Sequence, residues 1–338
     1  MKKLRIGHIG TKHDHSQDKL DCVRKFPDIF EVVGVVEEDP VQREMIRNNP
    51  TYSDYPIMTE EELFEAGCDC IMVEGFEYDI PYVAKRCVEH GIAVHIDKPA
   101  GRDLDVFRDT LKLAKAKHIP VQMAYMYRYN PAVMECMEYI KEGRLGEIHS
   151  VTAVMNTGHS KEKREWLGNF DAGNMFFLGC HMVDLIYQLQ GVPEKITPYL
   201  KSSGFDGVHT LDLGTAIFEY KNGTSIVQAN ACEVNGYGRR QLVVCGSKGT
   251  YEIRPLEKPI GAIYASEDFA EPFEDRHAVR NIATVPTVER YDRMMLDFAA
   301  MVRDGKENPY TYEYELQLQK LVLAACGYDV DYKTQEIL

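Results

Sequence analysis

The chain has 338 residues, a length that suits two domains of about 100–200 residues each. Hydrophobic residues make up 44% and charged residues 27%, a composition typical of a folded globular protein and not of a disordered one. Its 39 basic and 53 acidic side chains give a net charge of −14. This balance argues against nucleic-acid or anionic-membrane partners, because phosphate binding needs clustered cations.

The N-terminus and the cysteines predict a cytoplasmic location. The first residues lead directly into a predicted strand and lack the apolar core of a signal peptide. No stretch approaches the ~18 uninterrupted apolar residues of a membrane helix. The nine cysteines are odd in number and scattered, which indicates reduced thiols.

Over about the first 120 residues, short apolar runs alternate with helical patterns, which predicts a parallel α/β sheet. The predicted strands cover residues 4–10, 31–37, 70–74, 92–97 and 120–124. The predicted helices cover residues 16–26, 80–90 and 104–117, and another begins at Pro40. We therefore expect a doubly wound, dinucleotide-binding type of domain over residues 1–124.

The pattern changes after a predicted helix over residues 131–141. Longer strand-like segments follow at residues 148–155, 210–220, 224–232 and 241–244. Turn residues at 221–223 and 246–249 indicate antiparallel hairpins. Two amphipathic helices near residues 288–303 and 314–332 close the chain, so a second, α+β domain is predicted over residues 125–338.

The turn after the first predicted strand carries part of a dinucleotide-binding pattern. It begins at Gly10, but Lys12 and His15 occupy the later glycine positions of Gly-x-Gly-x-x-Gly. Such a turn presents N–H groups and a helix N-terminus to a pyrophosphate. A carboxylate at Glu37, which ends the second strand, accepts hydrogen bonds from a ribose diol and repels a 2′-phosphate. The predicted cofactor is therefore NAD, with NADP disfavoured, and the predicted contacts are Gly10, Thr11, Lys12, His13 and Glu37.

Other interpretations of this turn stay open at the level of sequence. The sheet could bind a different ligand, and Lys12 could be a solvated loop lysine. His13 and His15 could supply two metal ligands, yet no nearby cysteine completes a recognisable site. We predict no metal, with histidine acting as a simple donor in a phosphate-binding turn.

Lys98 follows an apolar strand and precedes Pro99, which fixes the local backbone and so directs the ammonium. In a nucleotide-binding sheet the carboxyl ends of the strands open on the ligand crevice. A lysine at this position can hold a substrate hydroxyl, contact the cofactor or assist proton transfer. Lys98 is therefore a candidate catalytic residue.

The chain resembles the glucose–fructose oxidoreductase/inositol dehydrogenase (Gfo/Idh/MocA) family over nearly its full length. The matching motifs are the glycine turn, Glu37, Asp97-Lys98-Pro99, Tyr127-Arg128-Tyr129-Asn130-Pro131, Gly173, Gly179-Cys180-His181-Met182-Val183-Asp184 and Gly246-Ser247-Lys248-Gly249-Thr250. The resemblance implies a Rossmann domain and a second domain with a large open, mostly antiparallel sheet. It also implies NAD(P)-dependent oxidation or reduction of sugars, cyclitols and related polyols, in a homodimer or homotetramer.

The resemblance assigns roles to two residues and marks two departures. Lys98 matches the family's catalytic lysine, which stabilises alkoxide charge, and His181 matches its catalytic histidine, the base. Phe177 stands where the family usually has an aspartate, and phenylalanine cannot orient an imidazole. Glu74-Gly75-Phe76-Glu77 replaces the family's usual Thr-Pro-Asn segment.

Four further residues are candidates for substrate contacts. Arg128 could bind an anionic group or form a salt bridge, and Trp166 could stack on a sugar ring or only pack. His159 lies just past a predicted strand and could reach a pocket. Asp184 lies three residues beyond His181 on a predicted helix and could replace the missing aspartate.

Three functions remain open from the sequence. The first is an NAD-dependent oxidoreductase acting on a sugar, cyclitol or sugar-derived hydroxy compound. The second is a glycoside-cleaving enzyme with tightly held NAD, which would use the same residues without net hydride transfer. The third is a catalytically inactive dinucleotide-binding protein, a possibility raised by Phe177.

Overall fold

The computed structural model describes residues 2–13, 15–257, 262–266 and 290–338, together with the backbone of residues 280–282. The chain forms two compact units. The first contains Met1–Met126, Glu289–Gln319 and Gln335–Leu338, and the second contains Tyr127–Val288 and Lys320–Thr334. The sequence places one domain boundary between residues 124 and 125, whereas the first unit also includes later segments of the chain.

Six strands form the sheet of the first unit, in the order β3-β2-β1-β4-β5-β6. The strands are β1 (Leu4–Ile9), β2 (Phe30–Val36), β3 (Ile57–Met58), β4 (Cys70–Val73), β5 (Ala93–Ile96) and β6 (Val121–Met123). The helices are α1 (Ser16–Arg24), α2 (Pro40–Arg47), α3 (Glu60–Glu65), α4 (Ile80–Glu89) and α5 (Leu104–Lys117). Every neighbouring pair of strands is parallel.

The central strands explain why this sheet forms. Both β4 and β5 are buried along their whole length, as parallel strands covered on both faces are. The strand β1 lies between β2 and β4, so the direction of winding reverses at its carboxyl end. In open α/β sheets this reversal opens the crevice in which ligands bind.

The second unit is built on an eight-stranded sheet in the order β14-β13-β12-β11-β7-β10-β9-β8. The strands are β7 (Ile148–Val154), β8 (Lys195–Lys201), β9 (Leu213–Tyr220), β10 (Gly223–Asn230), β11 (Gln241–Gly246), β12 (Gly249–Ile253), β13 (Ala262–Ser266) and β14 (Arg280–Ile282). The helix α6 (Pro131–Lys141) precedes β7 in the chain, and α7 (Lys161–Trp166) and α8 (Cys180–Gln190) lie between β7 and β8. The pair β7–β10 is parallel and the other described pairs are antiparallel. Alternate side chains of β9 and β10 are buried, the period expected of a sheet with one covered face.

Two helices follow the second sheet in the chain, α9 (Asp292–Asp304) and α10 (Tyr312–Ala325). The helix α9 belongs to the first unit, where the Asp292 carboxylate accepts hydrogen bonds from Cys22 and Lys25 at the end of α1. In the described part of the chain, no helix combines the length and the apolar character needed to cross a membrane.

The predicted fold class is confirmed: a doubly wound parallel sheet is followed by an α+β unit with a mostly antiparallel sheet. The hairpins predicted around residues 221–223 and 246–249 join β9 to β10 and β11 to β12. The predicted strand over residues 210–220 begins only at Leu213. The edge strand β8 was not predicted because it contains Pro198, which an edge strand tolerates.

The closing helices differ from their predicted bounds. The last helix ends at Ala325, not at residue 332, because Gly327 adopts a φ of +84° that a helix cannot continue through. The helix predicted over residues 288–303 begins at Asp292, and residues 288 and 289 lie outside the described residues. The short helices α3 and α7 were not predicted, since six residues give little periodic signal.

His8 makes the stability of the first unit depend on pH. The ring is fully buried, with Nε2 2.8 Å from both the Gly10 carbonyl oxygen and Ser16 Oγ, and burial lowers the pKa of His8 to about 4. The unfolded chain takes up the proton at about pH 6.5. The wild type should therefore lose stability relative to His8→Gln as the pH is lowered. We expect the difference in their free energies of unfolding to fall by about 1 kcal/mol for each pH unit from pH 6.5 down to 4.

Chemical denaturation at several pH values measures this difference. The control is His118→Asn, which replaces an exposed histidine in a left-handed conformation that asparagine tolerates. If the free energies of unfolding of the wild type and His8→Gln differ by the same amount at every pH, His8 does not remain neutral in the folded state.

Candidate functional site

The glycine turn after β1 depends on one close backbone approach. Gly10 has a φ of +90°, a region that L side chains rarely adopt. A Cβ atom at Gly10 would lie 2.6 Å from the backbone nitrogen of Gly75, which follows β4. Only glycine allows the two turns to touch in this way. The turn therefore keeps the first glycine of the dinucleotide pattern for a physical reason.

Glu37 organises this turn from the end of β2. Its carboxylate accepts hydrogen bonds from the Thr11 amide at 3.0 Å, the Thr11 hydroxyl at 2.6 Å and the Asp39 amide at 3.0 Å. A carboxylate offers about four acceptor positions, so three donors leave room for one more, such as a ribose hydroxyl. The residues at this turn thus fit the adenosine end of a dinucleotide.

Lys12 pairs with Asp39, the residue that caps α2. The Lys12 ammonium lies 2.7 Å from Asp39 Oδ2, while Oδ1 accepts from the first amides of the helix. The hydrogen bond from Lys12 lowers the pKa of Asp39 to about 2. Both side chains are about one-third exposed, so Lys12 stays within reach of a phosphate.

Lys98 follows β5 in the first unit, and its side chain is fully buried. Its backbone amide donates to Asp97 Oδ1 at 2.9 Å. The same oxygen accepts from the buried Lys19 ammonium at 2.9 Å, and Lys19 also donates to Glu74 at 2.9 Å. The carboxyl ends of β4 and β5 therefore carry a buried network of charges beside the glycine turn.

The pKa values in this network follow from burial and pairing. Burial opposes the charge of Lys19, but Asp97 and Glu74 outweigh it and raise the pKa of the ammonium. Burial raises the pKa of Glu74 to about 7, against the attraction of Lys19. Asp97 has a pKa well below its usual range because His13 and Lys19 outweigh the cost of its burial. Asp97 is thus the negative centre of the network.

His13 and His15 both face Asp97. His13 Nδ1 lies 2.6 Å and His15 Nδ1 lies 3.5 Å from Asp97 Oδ2, while His13 Nε2 lies 3.2 Å from Glu77 Oε1. Burial opposes a charge on His13, yet the two carboxylates raise its pKa to about 9. The ring predicted to contact the cofactor is therefore turned into the unit.

His181 lies near the start of α8 in the second unit and is 1% exposed. Its ring packs edge to face against Tyr127, with centroids 5.2 Å apart. The Tyr127 hydroxyl donates to Glu257, which also lies 2.5 Å from Arg240 Nη1. A buried tyrosine held by an ion pair therefore defines one side of the His181 ring.

Phe177 is buried in an aromatic cluster. Its ring packs against Trp166 with centroids 5.1 Å apart, and against Phe170 with centroids 5.4 Å apart. The Lys163 ammonium lies 3.2 Å from the centroid of the half-buried Trp166 ring. At the position where the resemblance implies a carboxylate, this chain therefore has a buried aromatic cluster.

Arg128 and Asp184 form a buried ion pair. Both side chains are 1% exposed, and Arg128 Nη2 lies 2.8 Å from Asp184 Oδ1 while Nε lies 3.0 Å from Oδ2. Gln188, one turn later on α8, donates to the same carboxylate at 2.9 Å. Asp184 is thus held by Arg128 and Gln188.

The predicted residues form separate groups. In the first unit, Glu37 contacts Thr11 and Lys12 contacts Asp39 near Gly10, while His13 contacts the residue before Lys98. In the second unit, Arg128 contacts Asp184, and Trp166 joins the Phe177 cluster. His159 is half-buried, and its backbone amide donates to the Ala231 carbonyl.

Sequence reasoning missed four residues of the charge network, Lys19, Glu74, Glu77 and Asp97, as functional candidates. Two signals were present in the sequence. Lys19 directly precedes Leu20 on the buried face of α1, and the segment 74–77 departs from the usual family motif. Neither signal names a partner, because the contacts join α1 and the turn after β1 to segments that follow β4 and β5.

Comparisons with known proteins were consistent with this architecture. Residues 133–252 match the model of the GFO/IDH/MocA C-terminal domain. Trans-1,2-dihydrobenzene-1,2-diol dehydrogenase of Mus musculus is 23% identical over 187 residues, 54% of each chain. The scyllo-inositol 2-dehydrogenase (NADP(+)) IolW of Bacillus subtilis is 21% identical over 253 residues, 71% of this chain and 70% of that protein. The chain spans about half the length of the first curated relatives that it matches, 54–56%.

Solved structures share the fold over nearly the whole chain. The WlbA dehydrogenase of Bordetella pertussis, in complex with NADH and UDP-GlcNAcA, has a TM-score of 0.74 at 14% identity, covering 96% of this chain and 95% of that one. UDP-N-acetylglucosamine 3-dehydrogenase GnnA of Acidithiobacillus ferrooxidans has a TM-score of 0.75 at 15% identity, covering 97% of each chain. These likenesses show the fold.

Fold and sites together define a class of two-unit proteins: a Rossmann-type unit with a glycine turn, followed by a unit built on a large, mostly antiparallel sheet. Within this class, residues 133–252 match the C-terminal domain of the GFO/IDH/MocA family, and the solved structures share the fold of the whole chain.

The buried Arg128–Asp184 pair can be tested by double substitution. Arg128→Met leaves the Asp184 carboxylate buried without its cation, so we expect the free energy of unfolding to fall by about 3–5 kcal/mol. Arg128→Met with Asp184→Leu replaces both charges by apolar groups and is expected to recover most of that loss.

Urea denaturation of the four combinations measures the coupling between the two positions. Lys195→Met is the matched control, because it breaks an exposed pair with Glu219 in the same unit and costs less than about 1 kcal/mol. A loss in Arg128→Met no larger than in this control would contradict the buried-pair assignment.

Proposed function

We propose that the chain is a nicotinamide-dependent oxidoreductase that transfers a hydride between NAD and a hydroxyl-bearing carbon of a sugar, cyclitol or sugar-derived compound. The observation that carries this proposal is the fully buried Lys98 at the carboxyl end of β5, in the same unit as the close Gly10–Gly75 turn. Similar proteins support the substrate class, since they include an inositol, a dihydrodiol and a UDP-sugar dehydrogenase.

Gly10, Thr11, Lys12 and Glu37 are the residues that we propose hold the cofactor, with Lys98 at its reactive end. Gly10 permits a close backbone turn, and Lys12 can offset pyrophosphate charge. Glu37 and the exposed Glu38 favour NAD, because two carboxylates repel a 2′-phosphate. The inward orientation of His13 supports an indirect role, in which it holds the turn through Asp97.

The bound nicotinamide would supply the two-electron acceptor that protein side chains lack. Lys98, held at its backbone by Asp97, would place positive charge beside the developing alkoxide. His181 would take the proton of the substrate hydroxyl, the general-base role for which histidine is the side chain most often used.

We propose substrate contacts in the second unit at Arg128, His159, Trp166 and Asp184. The Arg128–Asp184 pair would act as a fixed polar wall, because each charge already satisfies the other. The aromatic surface around Phe177 favours a substrate with an apolar face over a fully hydroxylated one. A homodimer or homotetramer in the cytoplasm remains a prediction from the sequence.

The cofactor assignment predicts a measurable preference. Calorimetric titration of the cofactor-stripped protein is expected to show NAD binding that is tighter than NADP binding. Glu37→Gln keeps the size and acceptor oxygen but removes the charge, so NADP should gain affinity relative to NAD by about tenfold or more. Glu44→Gln, at an exposed position of α2, should leave the ratio unchanged. Tight binding of NADP alone by the wild type would refute the Glu37 assignment.

The catalytic assignment predicts loss of turnover without loss of binding. Lys98→Met and His181→Asn should each lower kcat by about 10²–10⁴-fold, the contribution typical of a positioned acid or base, while NAD affinity changes little. NADH formation with a panel of sugars, cyclitols and dihydrodiols is the measurement. Lys112→Met and His149→Asn, both at exposed positions, are the matched controls.

Each result selects among the functions left open by the sequence. Normal turnover in Lys98→Met would reject its catalytic role. Substrate cleavage without net NADH would identify glycoside cleavage with retained cofactor. Cofactor binding without any reaction across the panel would identify a catalytically inactive dinucleotide-binding protein.

A further inference from the structure

Three potential metal ligands converge inside the first unit. His13 and His15, from the turn after β1, face Asp97 at the end of β5, and the three side-chain ligand atoms all lie within 4.8 Å of one another. All three residues are buried, and the two imidazole rings lie with centroids 4.6 Å apart. We call these three residues the His13–His15–Asp97 cluster.

The two oxygens of Asp97 have different partners. Oδ1 accepts hydrogen bonds from the Lys19 ammonium and the Lys98 amide, each at 2.9 Å. Oδ2 faces His13 Nδ1 at 2.6 Å and His15 Nδ1 at 3.5 Å. Ligand atoms around one tetrahedral ion are about 3.3 Å apart, so movements of less than about 1 Å would bring all three atoms to one ion.

Glu77 supplies an outer partner for this cluster. Its Oε1 lies 3.2 Å from His13 Nε2, and its side chain is 1% exposed. On the opposite side of the ring, His13 Nδ1 lies 2.6 Å from Asp97 Oδ2 and accepts a hydrogen bond from the His15 amide at 3.2 Å. Metal-binding histidines generally have such a carboxylate or carbonyl partner on the second ring nitrogen.

The local charge also favours a cation. Three buried carboxylates, those of Asp97, Glu74 and Glu77, share this region with two buried ammoniums, those of Lys19 and Lys98. A buried negative charge without a compensating cation is costly. A further cation among these groups, either a proton on an imidazole or a metal ion, therefore stabilises the arrangement.

The sequence alone predicted no metal here, but from this convergence of ligands we propose that the His13–His15–Asp97 cluster binds a divalent first-row transition metal of the zinc class. Two imidazole nitrogens and one carboxylate oxygen suit Zn²⁺, Fe²⁺ or Co²⁺, whereas Mg²⁺ and Ca²⁺ take oxygen ligands. The bound ion fastens the turn after β1 to the end of β5. It also accounts for His15 at the third glycine position of the turn, where a ligand replaces the usual glycine.

This metal site does not depend on the proposed oxidoreductase activity, so it is tested by binding alone. The full chain, produced without a polyhistidine tag and stripped with a chelator, is titrated with Zn²⁺ by calorimetry. Parallel titration with Co²⁺ follows the visible d–d absorption. We expect one ion per chain, a d–d spectrum without thiolate charge-transfer bands, and a higher Tm with Zn²⁺ than with chelator.

Variants assign the site to these residues. His15→Gln and Asp97→Asn should each abolish stoichiometric binding, and Glu77→Gln should weaken it by about 10- to 100-fold. His118→Asn, which removes an exposed histidine of the same unit, should bind like the wild type. If Asp97→Asn does not fold, His15→Gln still tests the site. The His15 ring lies 3.5 Å from Asp97, farther than the His13 ring, so its replacement disturbs the charge network least.

Two results would overturn the proposal. One is a wild-type chain that binds neither Zn²⁺ nor Co²⁺ stoichiometrically, which would leave a proton as the cation between His13 and the two carboxylates. The other is unchanged binding in His15→Gln and Asp97→Asn, which would place the ion elsewhere. Neither result bears on NAD binding, which the Glu37 experiment measures separately.

Discussion

The candidate site in the first unit depends on the contacts of one buried carboxylate, that of Asp97. One oxygen accepts from Lys19 and from the Lys98 amide, and the other faces His13 and His15. Through these contacts a single residue at the end of β5 connects α1, the turn after β1 and the proposed catalytic lysine. Buried ion pairs are costly to dehydrate, so this network fixes the local geometry but adds little to net stability.

The same constraint explains how the glycine turn departs from the usual dinucleotide pattern. Gly10 is required because its backbone touches Gly75, but the other two glycine positions carry Lys12 and His15. Lys12 reaches Asp39 at the start of α2, and His15 reaches Asp97. In the usual Gly-x-Gly-x-x-Gly turn, glycines allow close backbone packing at these two positions. Here the side-chain contacts of Lys12 and His15 hold the turn instead.

The second unit shows a comparable replacement around His181. Phe177 packs with Trp166 and Phe170, so no carboxylate is available at that position. Asp184, which the sequence offered as a substitute, is held by Arg128 and Gln188. The His181 ring packs edge to face against the Tyr127 ring, whose hydroxyl is fixed through Glu257 and Arg240. An aromatic ring can restrict an imidazole by packing, but it cannot stabilise an imidazolium as a carboxylate does.

The sequence alone determined the features that depend on local patterns. The alternation of apolar strands and helices predicted the parallel sheet, and turn residues predicted the hairpins of the second unit. The positions of Glu37 and Lys98 were predicted from the points at which apolar runs stop, because such a point marks the carboxyl end of a strand. Only the tertiary structure decided which charges pair. Lys19 lies 55 and 78 residues from its partners Glu74 and Asp97, and Arg128 lies 56 residues from Asp184. Such pairs depend on strand order and register, which bring distant residues together and which no local pattern specifies.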